Sequence, residues 1–274
     1  SLPNAYIPVS VGTKKYPYFL KKNYRARIRR SKNKFKKAGF YWTKETNVAP
    51  YLDTIYRLYC NVYAKSGIKF EKLTRDFFKQ VQEKLYGDFF FLLCFNAEHR
   101  LVCFELVLDS DDVLIPLYLG LDYGFVEEGD VYFNCIYRVM EEAVALKKTW
   151  AIFGQTSYLA KAYAGAVFEP LYLGILTNST VLFYCLKWFR GLVFPSVTLP
   201  DVHPYDPKNI RTLTEQTNHF GLDIVPLTSK VVSTNYGPMA CMYNRVTRLI
   251  SRGANFRSQQ WFLNYIQPHH RILS

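Results

Sequence analysis

Leu20, Tyr24, Ile28, Ser31, Phe35 and Ala38 recur along the chain at steps of four and three. On a 3.6-residue period they make one narrow stripe, so the segment reads as a helix that packs on a single side. Pro50 to Ala64 repeats the pattern through Leu52, Ile55, Tyr56, Tyr59 and Val62, and Thr74 to Leu85 repeats it behind a hydroxyl placed to cap. The period then changes. Phe89 to Phe95 and Leu101 to Leu108 are apolar runs of strand length around the polar turn Asn96 to Arg100, and Asp109-Ser-Asp-Asp112 leads into a third run, Val113 to Leu119. Val131 to Leu146 returns to helical spacing through Ile136, Val139, Met140 and Ala143. Trp150 to Phe153 is strand-like, Phe168 to Leu176 is another strand, and Thr180 to Arg190 a helix. The order describes an α+β (mixed α/β) fold in which an antiparallel meander enters a β-α-β unit.

After Pro195 the pattern breaks. Ser196 to Pro207 is proline-rich and reads as a linker, which divides the chain into residues 1–195 and an extension, 196–274. Asn209 to Phe220 is expected as a helix ending at Gly221, Leu222 to Leu227 as a strand, and Met239 to Ile250 and Ser258 to Ile266 as two further helices. The extension carries no motif that assigns it a role. A docking or dimerisation appendage and a cover for an acceptor site both stay open.

Charge sharpens one element. Twelve Lys and Arg residues and no acid lie between Lys14 and Lys37, so the net charge of +13 resides almost wholly in the first helix. Its apolar stripe packs and its remaining surface suits phosphates on RNA, on a coenzyme or on anionic lipid, or an acidic carrier protein; a solvated basic face is the plainer alternative. The chain of 274 residues is 49% hydrophobic and 17% aromatic, enough for a sizeable core. No apolar run reaches the roughly 20 residues of a membrane span, and Ser1-Leu-Pro-Asn lacks the pattern of a signal peptide, so the reading is cytoplasmic. Six widely spaced cysteines form no C-x-x-C pair and are expected as reduced core thiols. The five histidines show no zinc spacing, so no metal is expected. Walker, G-x-S-x-G and G-x-G-x-x-G patterns are absent.

The densest cluster of candidate chemistry runs from Ile152 through Gly165 to Pro170. An apolar strand stops at Gly154 and gives way to Gln155, Thr156, Ser157, Tyr158 and then Lys161. Thr156 or Ser157 can cap a following helix, whose free N–H groups would seat an anion with Lys161 one turn in. An ordinary strand, cap and surface lysine is the plainer alternative.

Taken together, Tyr24-Arg-Ala-Arg-Ile-Arg-Arg30, the hairpin turn Asn96 to Arg100, Tyr118-Leu-Gly-Leu-Asp122, the helix with Tyr137 and Glu141, and Gly154-Gln-Thr-Ser-Tyr158 with Lys161, Gly165 and Pro170 give a resemblance. From about Tyr16 to Pro195 the chain resembles the GNAT-type acyltransferase superfamily, and within it the branch related to Fem peptidyltransferases. The resemblance implies a mostly antiparallel central sheet with a splayed parallel strand pair. It implies transfer of an acyl or aminoacyl group from an activated donor to an amine by direct attack, with the donor carbonyl in the gap. Backbone N–H groups from Ile115 to Gly120, with Leu117 and Leu119 among them, would polarise that carbonyl. Glu105, Tyr118, Asp122 and Tyr158 are the candidates to collect the amine proton; Glu105 interrupts Val102-Cys-Phe-Glu-Leu-Val, though an alternating strand can turn it to solvent.

The Gln/Arg-x-x-Gly-x-Gly/Ala pyrophosphate loop of the superfamily is missing: Tyr123-Gly-Phe-Val-Glu-Glu-Gly-Asp130 stands in its place. Acyl-coenzyme A, an acyl-carrier protein and aminoacyl-tRNA therefore all remain candidate donors. They would be held by the Lys14 to Lys37 helix and by Gly154, Gln155, Thr156, Ser157 and Lys161. The rival class is a non-catalytic nucleic-acid or carrier-binding module on an acyltransferase scaffold.

Overall fold

The computed structural model describes residues 2–67, 72–85, 87–171, 184–185, 188–189 and 199–222. In chain order the elements are β1 (Asn4–Pro8), β2 (Ser10–Val11), β3 (Lys14–Lys15), α1 (Lys22–Lys37), β4 (Tyr41–Glu45), α2 (Leu52–Lys65) and α3 (Arg75–Lys84). There follow β5 (Phe89–Phe95), β6 (Leu101–Asp109), β7 (Val113–Leu121), α4 (Val131–Ala145), β8 (Trp150–Gly154), α5 (Tyr158–Tyr163), β9 (Val167–Glu169) and α6 (Pro207–Phe220). The sheet has the order β4-β5-β6-β7-β8-β1-β9. Its neighbours are antiparallel except β7 and β8, which α4 connects in parallel.

The expected meander β5-β6-β7 and the β7-α4-β8 unit are both present. Both sheet faces are covered, which is why β5 reads as an unbroken apolar run and β6 as one interrupted only by Glu105 before its final Asp109. Phe91, Leu93, Phe104 and Leu106 face α2 and α3, while Phe90, Leu92 and Val107 join α4 in the opposite core. Fully burying one such side chain contributes about 1.5–3 kcal/mol, so these rows hold the helices to the sheet. The basic helix begins only at Lys22, so Lys14 and Lys15 of the expected Lys14 to Lys37 helix lie in β3 and Leu20 bridges to Tyr205; the helix itself buries only Ile28, Ser31 and Phe35, a narrow stripe. Thr74 caps α3 by accepting from the Phe77 N–H at 3.3 Å.

Besides the two-residue strands β2 and β3, which pair with each other, two strands of the main sheet carry no signal in the hydropathy pattern. β1 lies between β8 and β9 and is buried along most of its length, and β4 pairs with β5 at the sheet edge. Five residues are too few to declare a period, and β4 is half exposed, as an edge strand is.

Phe168 begins a strand as expected, but β9 ends at Glu169 ahead of Pro170, and Tyr172 to Leu176 lies outside the described residues. Most of the helix expected from Thr180 to Arg190 lies outside them too, as do Met239 to Ile250, Ser258 to Ile266 and all of Leu222 to Leu227 but its first residue. α6 forms with Asp206 as its cap and Gly221 at φ 79° closing it. It packs into the main core: Leu213 is fully buried, Phe220 meets Trp150 at 5.7 Å between ring centroids, and Asn209 donates to the Phe19 carbonyl at 2.9 Å. Among the described residues no helix is long and apolar enough to cross a membrane.

Candidate active site

β7 and β8 part almost as soon as they meet. Their ladder holds for two pairs, Val113 with Trp150 and Leu114 with Ala151, and then stops. Two features of β7 account for this. Pro116 has no N–H to offer a neighbour, and the pairing with β6 slips between Tyr118 and Pro116, leaving Leu117 as an extra, bulged residue. A bulge bends its strand and frees a backbone N–H from the ladder. Gly120 lets the sheet close on its other side: a Cβ there would overlap the Phe104 ring and come within 2.8 Å of the Tyr59 nitrogen.

The splay opens a cavity of about 750 Å³. Its lining joins both faces of the sheet, with Tyr59 and Tyr63 from α2 on one side and Tyr132 and Cys135 from α4 on the other. The size suits a small-molecule group and its reaction partner.

Glu105 lies in this cavity wall, 8% exposed. Because both sheet faces are covered, it does not turn to solvent. Its Oε2 accepts the Cys135 thiol at 2.8 Å. Burial pushes its carboxyl up to about 7, against the Cys135 hydrogen bond and the field of Lys161, which pull it down. Lys161 is 5% exposed and burial pulls it down to about 8, opposed by Glu105. Its ammonium donates to the carbonyls of Phe153 at 2.6 Å, Gly154 at 3.2 Å and Gln155 at 3.0 Å. A lysine that spends its donors on the end of β8 is a structural brace for that arm of the cleft.

A parallel pair splayed around an acid-lined cavity behind an antiparallel meander now stands beside the sequence comparison. The family model for the acetyltransferase (GNAT) domain matches residues 22–158, half of the chain. The chain belongs to this family. The match runs from the first residue of α1 to the first of α5, so the GNAT domain contains both strands of the splay and the helix between them. None of the curated proteins matches the chain. Among solved structures it is similar to FemX (TM-score 0.44, 12% identity, 68% of this chain and 57% of that one). It is also similar to L-PGS from Bacillus licheniformis (TM-score 0.40, 11% identity, 69% and 52%). A third is the C-terminal domain of a putative lysylphosphatidylglycerol synthetase from Agrobacterium fabrum (TM-score 0.39, 10% identity, 59% and 50%). The chain aligns with about half the length of each.

In and beside the GNAT domain the sequence-derived candidates separate. Glu105, Tyr118, Leu117 and Leu119 line the cavity, as do Gln155, Thr156, Ser157 and Lys161. Ile115 packs in the α2/α3 core. Asp122 lies outside the cavity lining at the end of β7, where it accepts from Arg100 at 2.7 Å and from the Gly124 N–H at 3.2 Å. Tyr158 also lies outside it; its hydroxyl donates to the Pro3 carbonyl at 2.9 Å. Gly154 adopts φ 63°, and the Gln155 amide donates to Leu2 at 3.1 Å.

The helix cap expected of Thr156 or Ser157 is not made. Both residues are left-handed, at φ 72° and 49°, and neither side chain bonds the first turn of α5, which has only six residues. Two consecutive non-glycine residues in that region are uncommon and store strain beside the cavity. The Ser157 hydroxyl instead meets Tyr132. Tyr132 and Cys135 are cavity residues that the sequence reading passes over, because on α4 they fall within an ordinary helical stripe.

The loop from β7 to α4 is unlike a pyrophosphate seat. Lys34 donates to the Glu127 carbonyl at 2.5 Å and to Asp130 at 2.8 Å, and Asn134 donates to the Gly129 carbonyl at 3.0 Å. Glu127 and Glu128 are exposed there and would repel an anion. α1 therefore serves partly as a clamp on this loop. Arg27 stacks on Tyr163 with its guanidinium 4.0 Å from the ring centre, and Lys32 pairs with Glu141. Arg29, Arg30, Lys36 and Lys37 are exposed and make no ion pair among the described residues. The described residues also contain no cluster of His, Cys, Asp and Glu suited to a metal.

Proposed function

We propose that this GNAT domain transfers an acyl or aminoacyl group from an activated ester or thioester to an amine, with Glu105 as the general base. The observation that carries this reading is a buried carboxylate in the wall of the cavity opened by the β7/β8 splay. A carboxyl raised to about 7 is half ionised near neutrality and basic enough to take a proton from an amine as it attacks. In the step, the amine nitrogen bonds to the donor carbonyl carbon, the proton passes to Glu105, and the bond to the leaving oxygen or sulfur breaks. The developing oxyanion would be met by backbone N–H groups at the Leu117 bulge. Tyr118, which lines the same cavity from the α2 side, is the candidate to return a proton to the leaving group.

For the donor we favour aminoacyl-tRNA, one of the three that the resemblance leaves open. The β7–α4 loop turns carboxylates and clamped carbonyls where coenzyme A would need N–H groups, and the free cations of α1 suit a phosphate backbone. Acyl-coenzyme A and acyl-carrier protein are the competing donors. Transfer assays with each of the three donors and a panel of amines test this. Label should pass from charged tRNA to an amine, and Glu105→Gln should lower the rate about 100-fold or more. Tight binding of charged and uncharged tRNA alike, with no transfer from any donor, would replace the enzyme with a binding module.

A further inference from the structure

Cys103 and Glu105 are two residues apart on β6 and share a face, and Cys135 of α4 lies over both. The Cys135 thiol donates to Glu105 Oε2 at 2.8 Å and also meets the Cys103 thiol. All three are buried, Cys103 and Cys135 almost completely. This thiol is the sole hydrogen-bond donor to the Glu105 carboxylate among the described residues. Oε1 has no partner there and is left to the cavity that Glu105 lines.

We infer that Cys135 is a positioning residue, whose S–H holds Oε2 of Glu105 and so aims Oε1 at the incoming amine. The inference rests on Glu105 acting as the base. A carboxylate without a donor in a desolvated pocket rotates freely and reverts to its neutral acid, which cannot take a proton. A strong donor such as a hydroxyl would overcorrect, favouring the ionised form until the group became a poor base. A thiol is a weak donor, so it can orient the acid while leaving it near neutrality.

The groups facing Glu105 are Cys103 on β6, Tyr132 and Cys135 on α4, and Lys161 on α5. Burial keeps the two thiols and the phenol protonated, so at neutral pH only Lys161 adds charge, and it pulls the carboxyl down as the thiol does. Replacing Cys135 leaves Lys161 in place and isolates the hydrogen bond.

The two obvious substitutions should move Glu105 in opposite directions. In Cys135→Ala its titration midpoint, followed by carboxyl-carbon NMR and assigned with Glu105→Gln, should rise by about one pH unit. In Cys135→Ser it should stay at or fall below the wild-type value. The infrared S–H band assigned to Cys135 should shift as Glu105 ionises. In the transfer assay Cys135→Ala should lose about tenfold in kcat with KM little changed and its acid limb should follow the NMR midpoint, whereas Cys135→Ser should return the acid limb to or below its wild-type position and recover only part of kcat. A midpoint unchanged in Cys135→Ala, or identical in the two variants, overturns the inference and leaves the thiol a filler of space. If Cys135→Ala does not fold, a higher midpoint in Cys135→Ser than in wild type overturns it equally. The titration and infrared readings need no substrate, so a wild type that transfers nothing would sink the proposed function without deciding the role of Cys135.

Discussion

Asn134 of α4 reaches across to Ser31 of α1, its amide 3.1 Å from the hydroxyl and 3.2 Å from the carbonyl. Both residues are buried, and the same amide holds Gly129 at the entrance to α4. One side chain thus sets the spacing between the basic helix and the helix that supplies Cys135.

Asn134→Ala should cost about 1–3 kcal/mol of stability, because Ser31 and the loop carbonyls lose a buried partner. Lys34→Ala, which breaks an exposed pair with Asp130, should cost about 1 kcal/mol or less. Urea unfolding of the two variants checks the ranking.

Glu105 should leave a signature in stability as well as in rate. Its carboxyl rises from 4.5 to about 7 on folding, so the folded state binds more protons between those values, and stability falls as pH rises through that window. Relative to wild type, Glu105→Gln should gain about 3 kcal/mol between pH 4.5 and 7 and nothing further above it. Paired denaturation curves at pH 4.5, 6 and 8 measure this, and a constant difference would contradict a buried, neutralised acid. In wild type, acyl transfer should rise through about pH 7 as the base ionises.

Lys161→Met keeps the length of the side chain and removes its charge. Three carbonyls at the end of β8 then lose their donor, and the variant should lose about 2–4 kcal/mol. If Lys161 served chiefly to bind an anion, stability would hold and donor affinity alone would fall. Thermal unfolding and donor titration separate the two outcomes.

Replacing Arg29, Arg30, Lys36 and Lys37 together by Gln should leave the fold intact, since all four are exposed. If RNA lies along α1, the slope of log affinity against log salt should become shallower by about three to four. Unchanged tRNA affinity would direct the search for the donor away from this helix.

The elements that could be read from the sequence are those whose period is long and whose surroundings are uniform. α1, α2, α3 and the meander β5-β6-β7 announce themselves because each repeats its pattern over at least seven residues. β1 does not, because Asn4 to Pro8 becomes a buried strand only through partners at residues 150–154 and 167–169. Local chemistry misled at Thr156 and Ser157, where hydroxyls before a helix suggest a cap. There the Lys161 ammonium reaches back to three carbonyls and the turn is left-handed instead. Glu105 was visible as an acid in an apolar run, but its orientation depended on α4 covering that face. Tyr132 and Cys135 could not be told from core residues, because their spacing is that of any packed helix.

The place of β1 in the sheet has a consequence for the order of assembly. It is synthesised before the strands on either side of it, which follow more than 140 residues later. Until then a nearly all-apolar segment waits with both edges open, a template for pairing with the wrong chain. The β8 arm, held to β7 by two residue pairs, gains its second neighbour only when that segment returns. Closure of the sheet is a late, long-range event, and the wall bearing Gln155 and Lys161 is among the last parts of the molecule to take shape.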